Sequence, residues 1–136
     1  MHNSHRFVVV DTNVLVSALL TPTGTAAKAI ELVSSGKLTP CYDQQILSEY
    51  KTVLFRDKFN YDKLLVSQLL ELIQDIGVQA PFKPSNIDLP DESDRKFYDM
   101  AKTAKAYLVT GNIKHFPQED WILTPAEIVE VFIKQS

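Results

Sequence analysis

Residues 7–10 read Phe-Val-Val-Val, and Asp11 follows them without a break. The β-branched valines are stiff at χ1 and favour extended backbone. A short apolar run with no polar alternation has both faces covered, as in an interior strand of a parallel sheet flanked by helices. Tyr107–Thr110, "YLVT", is a second run of this kind. A chain with two such strands must also supply the helices that cover them, which commits it to an α/β architecture. Asp11 then poses the functional question, because a carboxylate at the exit of a buried strand is costly unless something binds it.

The rest of the chain supplies those helices. Periodicity and stop signals predict helices over Val14–Leu20, Thr25–Ser35, Gln44–Phe55, Tyr61–Ile76, Asp94–Ala104 and Ala126–Lys134. Further strands are predicted over Leu38–Tyr42, Val78–Ala80 and Trp121–Leu123. Pro40 has no N–H to donate and predicts an edge position for its strand. Strands alternating with helices predict a three-layer α/β/α sandwich around a mostly parallel sheet. The Pro-rich stretch Ala80–Asp94, "APFKPSNIDLPDESD", reads as a long loop, and the 136 residues fit one domain, 1–136.

Composition narrows the function classes. A single cysteine, Cys41, excludes an internal disulfide and any multi-cysteine metal site. It is expected in the core, and Trp121 against the sheet. No apolar run is long enough to span a bilayer, and the opening MHNSHRF has no apolar signal core, so a cytosolic, cytoplasmic protein without membrane association is expected. A net charge of −3 argues against a broad electrostatic grip on nucleic acid but leaves room for a locally basic groove. His2 and His5 lack metal-ligand spacing, and His115 reads as an ordinary loop histidine.

In right-handed βαβ units the crossover helices start at the C-terminal edge of the strands, and ligands of open α/β sheets gather there. Asp11 closes the first strand and Asn112 follows "YLVTG". Glu49 lies in the second turn of a helix that leaves the same edge, and Asp94 starts another helix there. Each has a plainer reading. Asp11 can cap the following helix through the amides of Asn13 and Val14. Glu49 can be a half-exposed surface acid, although the residues three and four positions away, Gln45, Ile46, Thr52 and Val53, include no cation. Asp94 can serve the helix start in "PDESD", where Asp91 or Ser93 can also cap. Asn112 can simply occupy a turn. Asp99, with Arg95, Lys96 and Lys102 at helical spacing, is assigned to a solvated charged face.

Three carboxylates drawn together repel one another unless protonated or neutralised by a cation. Oxygen donors without a thiolate or histidine cluster favour Mg²⁺ or Mn²⁺ over zinc, and such ions act on phosphates. Metal-assisted phosphodiester hydrolysis is the reaction class this donor set suggests. The alternative is Asp11 as a covalent nucleophile.

"VVVDTNVLVSALL", "ILSEYKTVLFRDKF" and "DESDRKFYDMAKTAKAYLVTGNIKHFP" resemble, in order and spacing, the PIN-domain ribonucleases. Within them they look most like the VapC-like toxin components of bacterial and archaeal toxin–antitoxin pairs. The resemblance runs from about Phe7 into the closing helix. It implies an α/β/α domain with a parallel sheet. It also implies a Mg²⁺- or Mn²⁺-dependent endoribonuclease that acts on an RNA substrate, forms a homodimer and is inhibited by a small antitoxin protein. By position, Asp11, Glu49 and Asp94 match the family acids that are catalytic and bind metal. Asn112 stands where the family has a fourth acid; it still offers an oxygen to a metal but no charge. Asn13 and Ser17 match small polar positions that support the first acid. On this basis Asp11 and Asp94 hold one ion with help from Asn112, and Glu49 positions the attacking water or a second ion. Arg56, Arg95, Lys96 and Lys114 are candidates for phosphate contact, or solvated surface charge.

Other classes are weighed against this. A haloacid-dehalogenase-like phosphatase requires a second Asp where the chain has Asn13. A receiver domain requires an acidic pair after the first strand and a Lys after the last. A catalytically silent PIN domain that only binds RNA or protein is kept open by Asn112.

Overall fold

The structure is a computed structural model and describes residues 6–134; His2 and His5 lie outside the described residues. The elements are β1 (Phe7–Val10), α1 (Thr12–Leu20), α2 (Thr25–Ser34), β2 (Thr39–Tyr42), α3 (Gln44–Leu54), α4 (Lys63–Ile76), β3 (Val78–Gln79), α5 (Arg95–Ala104), β4 (Tyr107–Val109), β5 (Ile122–Leu123) and α6 (Pro125–Lys134). Short 3₁₀ turns cover Glu92–Asp94 and Ile113–His115. The sheet order is β3-β2-β1-β4-β5, and every pairing is parallel.

β1 is the central strand. Its Val8, Val9 and Val10 are all buried, as the lack of alternation in that run requires. Helix α2 packs on both α1 and α6, and α3 packs on α4 and α5 and touches α1. With the sheet these helices form the expected three-layer α/β/α sandwich. Cys41 is in the core, and the Trp121 ring packs 5.2 Å from that of Tyr98.

Three local expectations are corrected. First, α1 starts at Thr12 rather than Val14 and leaves β1 with only Asp11 between them. Second, β2 is interior despite Pro40, lying between β3 and β1. The Tyr42 carbonyl accepts from the Ala80 N–H on the β3 side, so by strand alternation the Pro40 nitrogen faces that side too. β3 pairs only with Cys41 and Tyr42, so the missing N–H falls before its ladder begins.

Third, Asp99 is buried rather than solvated. Its two oxygens accept from the Ser85 N–H (3.1 Å) and Ser85 Oγ (2.5 Å). Arg95 donates to the Ser85 and Ile87 carbonyls and pairs with Glu92 at 2.7 Å. The stretch between β3 and the first 3₁₀ turn is thereby fastened across the outer face of α5. Periodicity along one helix cannot register a loop that folds over it. The same bonds occupy Arg95, which is a clamp on this loop rather than a free phosphate contact.

Candidate active site

β1 and β4 are neighbours, but the chain leaves them toward opposite sides of the sheet, to β2 through α1 and α2 and to β5. This is the topological switch point of the sheet, at whose C-terminal edge open α/β folds place their ligands.

Asp11 stands at that point and is 5% exposed. Its backbone N–H continues the β1–β4 ladder by donating to the Val109 carbonyl at 2.9 Å. The carboxylate makes no capping bond to α1. Instead its Oδ2 accepts from Thr110 Oγ1 at 2.8 Å and from Asn13 Nδ2 at 3.2 Å. Asn13 Oδ1 accepts in turn from the Gly111 N–H at 3.1 Å, so one amide joins the exits of β1 and β4. Burial pushes the Asp11 carboxyl up to about 6; donation from Thr110 opposes this, and the negative charge of Asp94 adds to it.

Asp94 ends the 3₁₀ turn before α5 and makes no capping bond either. Capping is done by Asp91, which accepts from the Ser93 N–H (2.9 Å) and Oγ (2.7 Å). That leaves Asp94 free of the role its position in "PDESD" suggested. Its carboxyl is raised by burial first and by the charge of Asp91 next, with His115 opposing. Oδ2 of Asp94 is buried and has no hydrogen-bond partner. His115 Nδ1 lies 3.4 Å from it, an ion pair when the imidazole is protonated. His115 is thus a neighbour of the site, as its place just after Asn112 in the chain suggests.

Glu49 lies within electrostatic reach of both aspartates. Tyr50, the next residue on α3, donates from its hydroxyl to the Val10 carbonyl at 2.5 Å and fixes the helix against the end of β1. Both Glu49 oxygens are taken: Oε2 accepts from Thr12 Oγ1, and Oε1 lies 2.6 Å from Lys96 Nζ. Lys96 is therefore buried at the site and ion-paired there.

Asn112 is exposed, and its backbone N–H donates to Thr110 Oγ1 at 3.0 Å. Ser17 is exposed on α1 and makes no hydrogen bond to Asp11. Arg56 and Lys114 are exposed, and no carboxylate pairs with either among the described residues. Thr12, Thr110 and the Lys96–Glu49 pair escaped the sequence reading. The only local signal was a threonine beside each predicted strand exit, in "DTN" and "VTGN".

The donor set fits a hard divalent cation carried by two residues. Asp11 and Asp94 offer carboxylate oxygens, one of them buried and accepting no hydrogen bond, and Mg²⁺ commonly takes one or two protein carboxylates and keeps its waters. Among the described residues no group of three His, Cys, Asp or Glu is arranged to hold a metal ion, in keeping with the engagement of Glu49.

Residues 7–114 match the family model described as "PIN domain". The chain is also similar to an uncharacterized protein of Methanocaldococcus jannaschii, MJ1680. The two are 29% identical over 110 residues, 77% of this chain and 70% of that protein. No solved structure matches. With a matched segment that runs from the first residue of β1 past Asp11, Glu49, Asp94 and Asn112, the chain belongs to the PIN-domain family.

Proposed function

We propose that this protein is a divalent-cation-dependent nuclease that hydrolyses phosphodiester bonds of RNA, with Asp11 and Asp94 holding the ion. PIN domains are in general metal-dependent nucleases, which supports the reaction class. The observation that carries the reading is the buried Oδ2 of Asp94, which accepts no hydrogen bond and has His115 Nδ1 3.4 Å away, within electrostatic reach of the buried carboxylate of Asp11. A buried acid and a half-buried one in mutual repulsion are relieved by a bound cation. When bound, Mg²⁺ or Mn²⁺ polarises a phosphoryl oxygen and activates water. Thr110 and Asn13 both donate to Oδ2 of Asp11, which orients the carboxylate. Arg56 and Lys114 are the exposed cations nearest in role to phosphate binders.

In the finer form of this reading the chain is the toxin of a toxin–antitoxin pair, forms a homodimer and is inhibited by a small protein. The resemblance to toxin components supports that form. Co-purification with the product of a short neighbouring reading frame, and sedimentation of the protein alone, test it.

The nuclease itself is tested with purified protein on a panel of single-stranded and structured RNAs, in Mn²⁺ and in EDTA. Cleavage is expected in Mn²⁺ and not in EDTA, with Asp11→Asn slower by about a hundredfold or more. Undiminished cleavage by Asp11→Asn contradicts the proposal. A second reading, a silent domain that only binds, has one observation in its favour: Glu49 is already bonded at both oxygens. RNA binding without cleavage in either metal would favour it.

A further inference from the structure

We propose that Lys96 is an internal counter-cation that keeps Glu49 out of the ligand set and limits the centre to one divalent ion. The inference rests on the metal-site reading above.

The Lys96 ammonium is not poised to swing away. Its side chain is 9% exposed. It donates to Glu49 Oε1 and to the Ser93 carbonyl, and stands 5.1 Å from the centroid of the Phe97 ring. Three donors thus have three acceptors, one of them an aromatic face. Glu49 is equally saturated, since Thr12 donates to its other oxygen. Lys96 is buried while the Glu49 side chain is 26% exposed, so separating them would leave the ammonium buried without its carboxylate, a cost that holds the pair together.

The ligand inventory gives the ion count. Lys96 holds Glu49. Asn112 offers no carboxylate where the resemblance implies an acid. Asp11 and Asp94 are then the carboxylates left to bind a cation, with His115 Nδ1 3.4 Å from Asp94 Oδ2, and one or two carboxylates are what a single Mg²⁺ commonly takes. A second ion needs a carboxylate that Lys96 already holds. The expected phosphate contact by Lys96 is excluded by the same bonds.

Isothermal titration of the full chain with Mn²⁺ tests this, with circular dichroism confirming that each variant is folded. Wild type is expected to bind one ion per chain. Lys96→Met frees Glu49 and is expected to bind two. The double variant Glu49→Gln/Lys96→Met replaces the ion pair by a neutral pair, so it folds even if Lys96→Met does not. It is expected to bind one ion with a dissociation constant within about threefold of wild type, under 1 kcal/mol. Two ions on wild type, one ion on folded Lys96→Met, or a loss of tenfold or more in the double variant overturns the proposal. The first of these leaves the metal-site reading intact. Absence of Mn²⁺ binding in all three proteins sinks that reading, and this proposal with it.

Discussion

Asp11 is the residue on which sequence and structure agree most closely, and it carries a stability prediction. Its ordinary value is 3.8 and burial raises it to about 6. Below the lower value both folded and unfolded chains are protonated, so there is no penalty. Between the two, the folded chain keeps a proton that the unfolded chain releases, and stability falls as pH rises. Above about pH 6 the full penalty applies, about 3 kcal/mol in the absence of metal. Asp11→Asn keeps an oxygen for Thr110 and Asn13 and removes the charge. Urea unfolding in EDTA is therefore expected to show the variant more stable than wild type by up to that amount at pH 7.5, with the gap closing below pH 4. In saturating Mn²⁺ the order narrows or reverses, because only wild type gains binding energy. Asp11 and Asp94 were legible as candidates because the alternation of strands and helices puts both at the C-terminal edge of the sheet. Thr110 was not, since its partner lies 99 positions away in the chain. Nor was the engagement of Glu49, whose hydroxyl partner Thr12 is 37 positions away.

At the level of elements, helix and strand placement followed from local pattern, and the misreadings came from long-range cover. The charged face assigned to Asp99 was inferred from helical neighbours alone. What decides its environment is Ser85, brought in by a loop whose Pro-rich composition gives no hint of its path. Asp99→Ala removes two hydrogen bonds to a charged group, a loss of about 2 kcal/mol or more. Hydrogen exchange is expected to rise at the Ser85 and Lys83 amides and to stay unchanged in β1. Pro40 misled for a related reason: the rule against proline in interior strands assumes a neighbour along the whole strand, and β3 is only two residues long. The junction before β3 is tight. A Cβ on Gly77 would lie 2.3 Å from the Ile73 carbonyl and 2.9 Å from that of Pro40. Gly77→Ala is expected to destabilise by about 2 kcal/mol in chemical denaturation, through displacement of β3. A midpoint unchanged from wild type would contradict that packing.

At the scale of the whole molecule, the sheet order places the exits of β1 and β4 side by side. The helices α3 and α5 then bring in acids from distant parts of the chain. The alternation of short buried strands with helices was enough to specify this edge as the location of a site. It was not enough to say which acids are free there, because that depends on Asp91 taking the cap and Lys96 taking Glu49. On the proposed reading, Asp11 and Asp94 jointly hold a divalent cation. Anomalous diffraction from crystals of the protein grown in Mn²⁺ tests it directly. A peak is expected at about 2–2.3 Å from a carboxylate oxygen of each aspartate, with none bonded to Glu49. A density map at saturating Mn²⁺ that leaves both aspartates bare, or a peak ligated by Glu49 with Lys96 displaced, would contradict it.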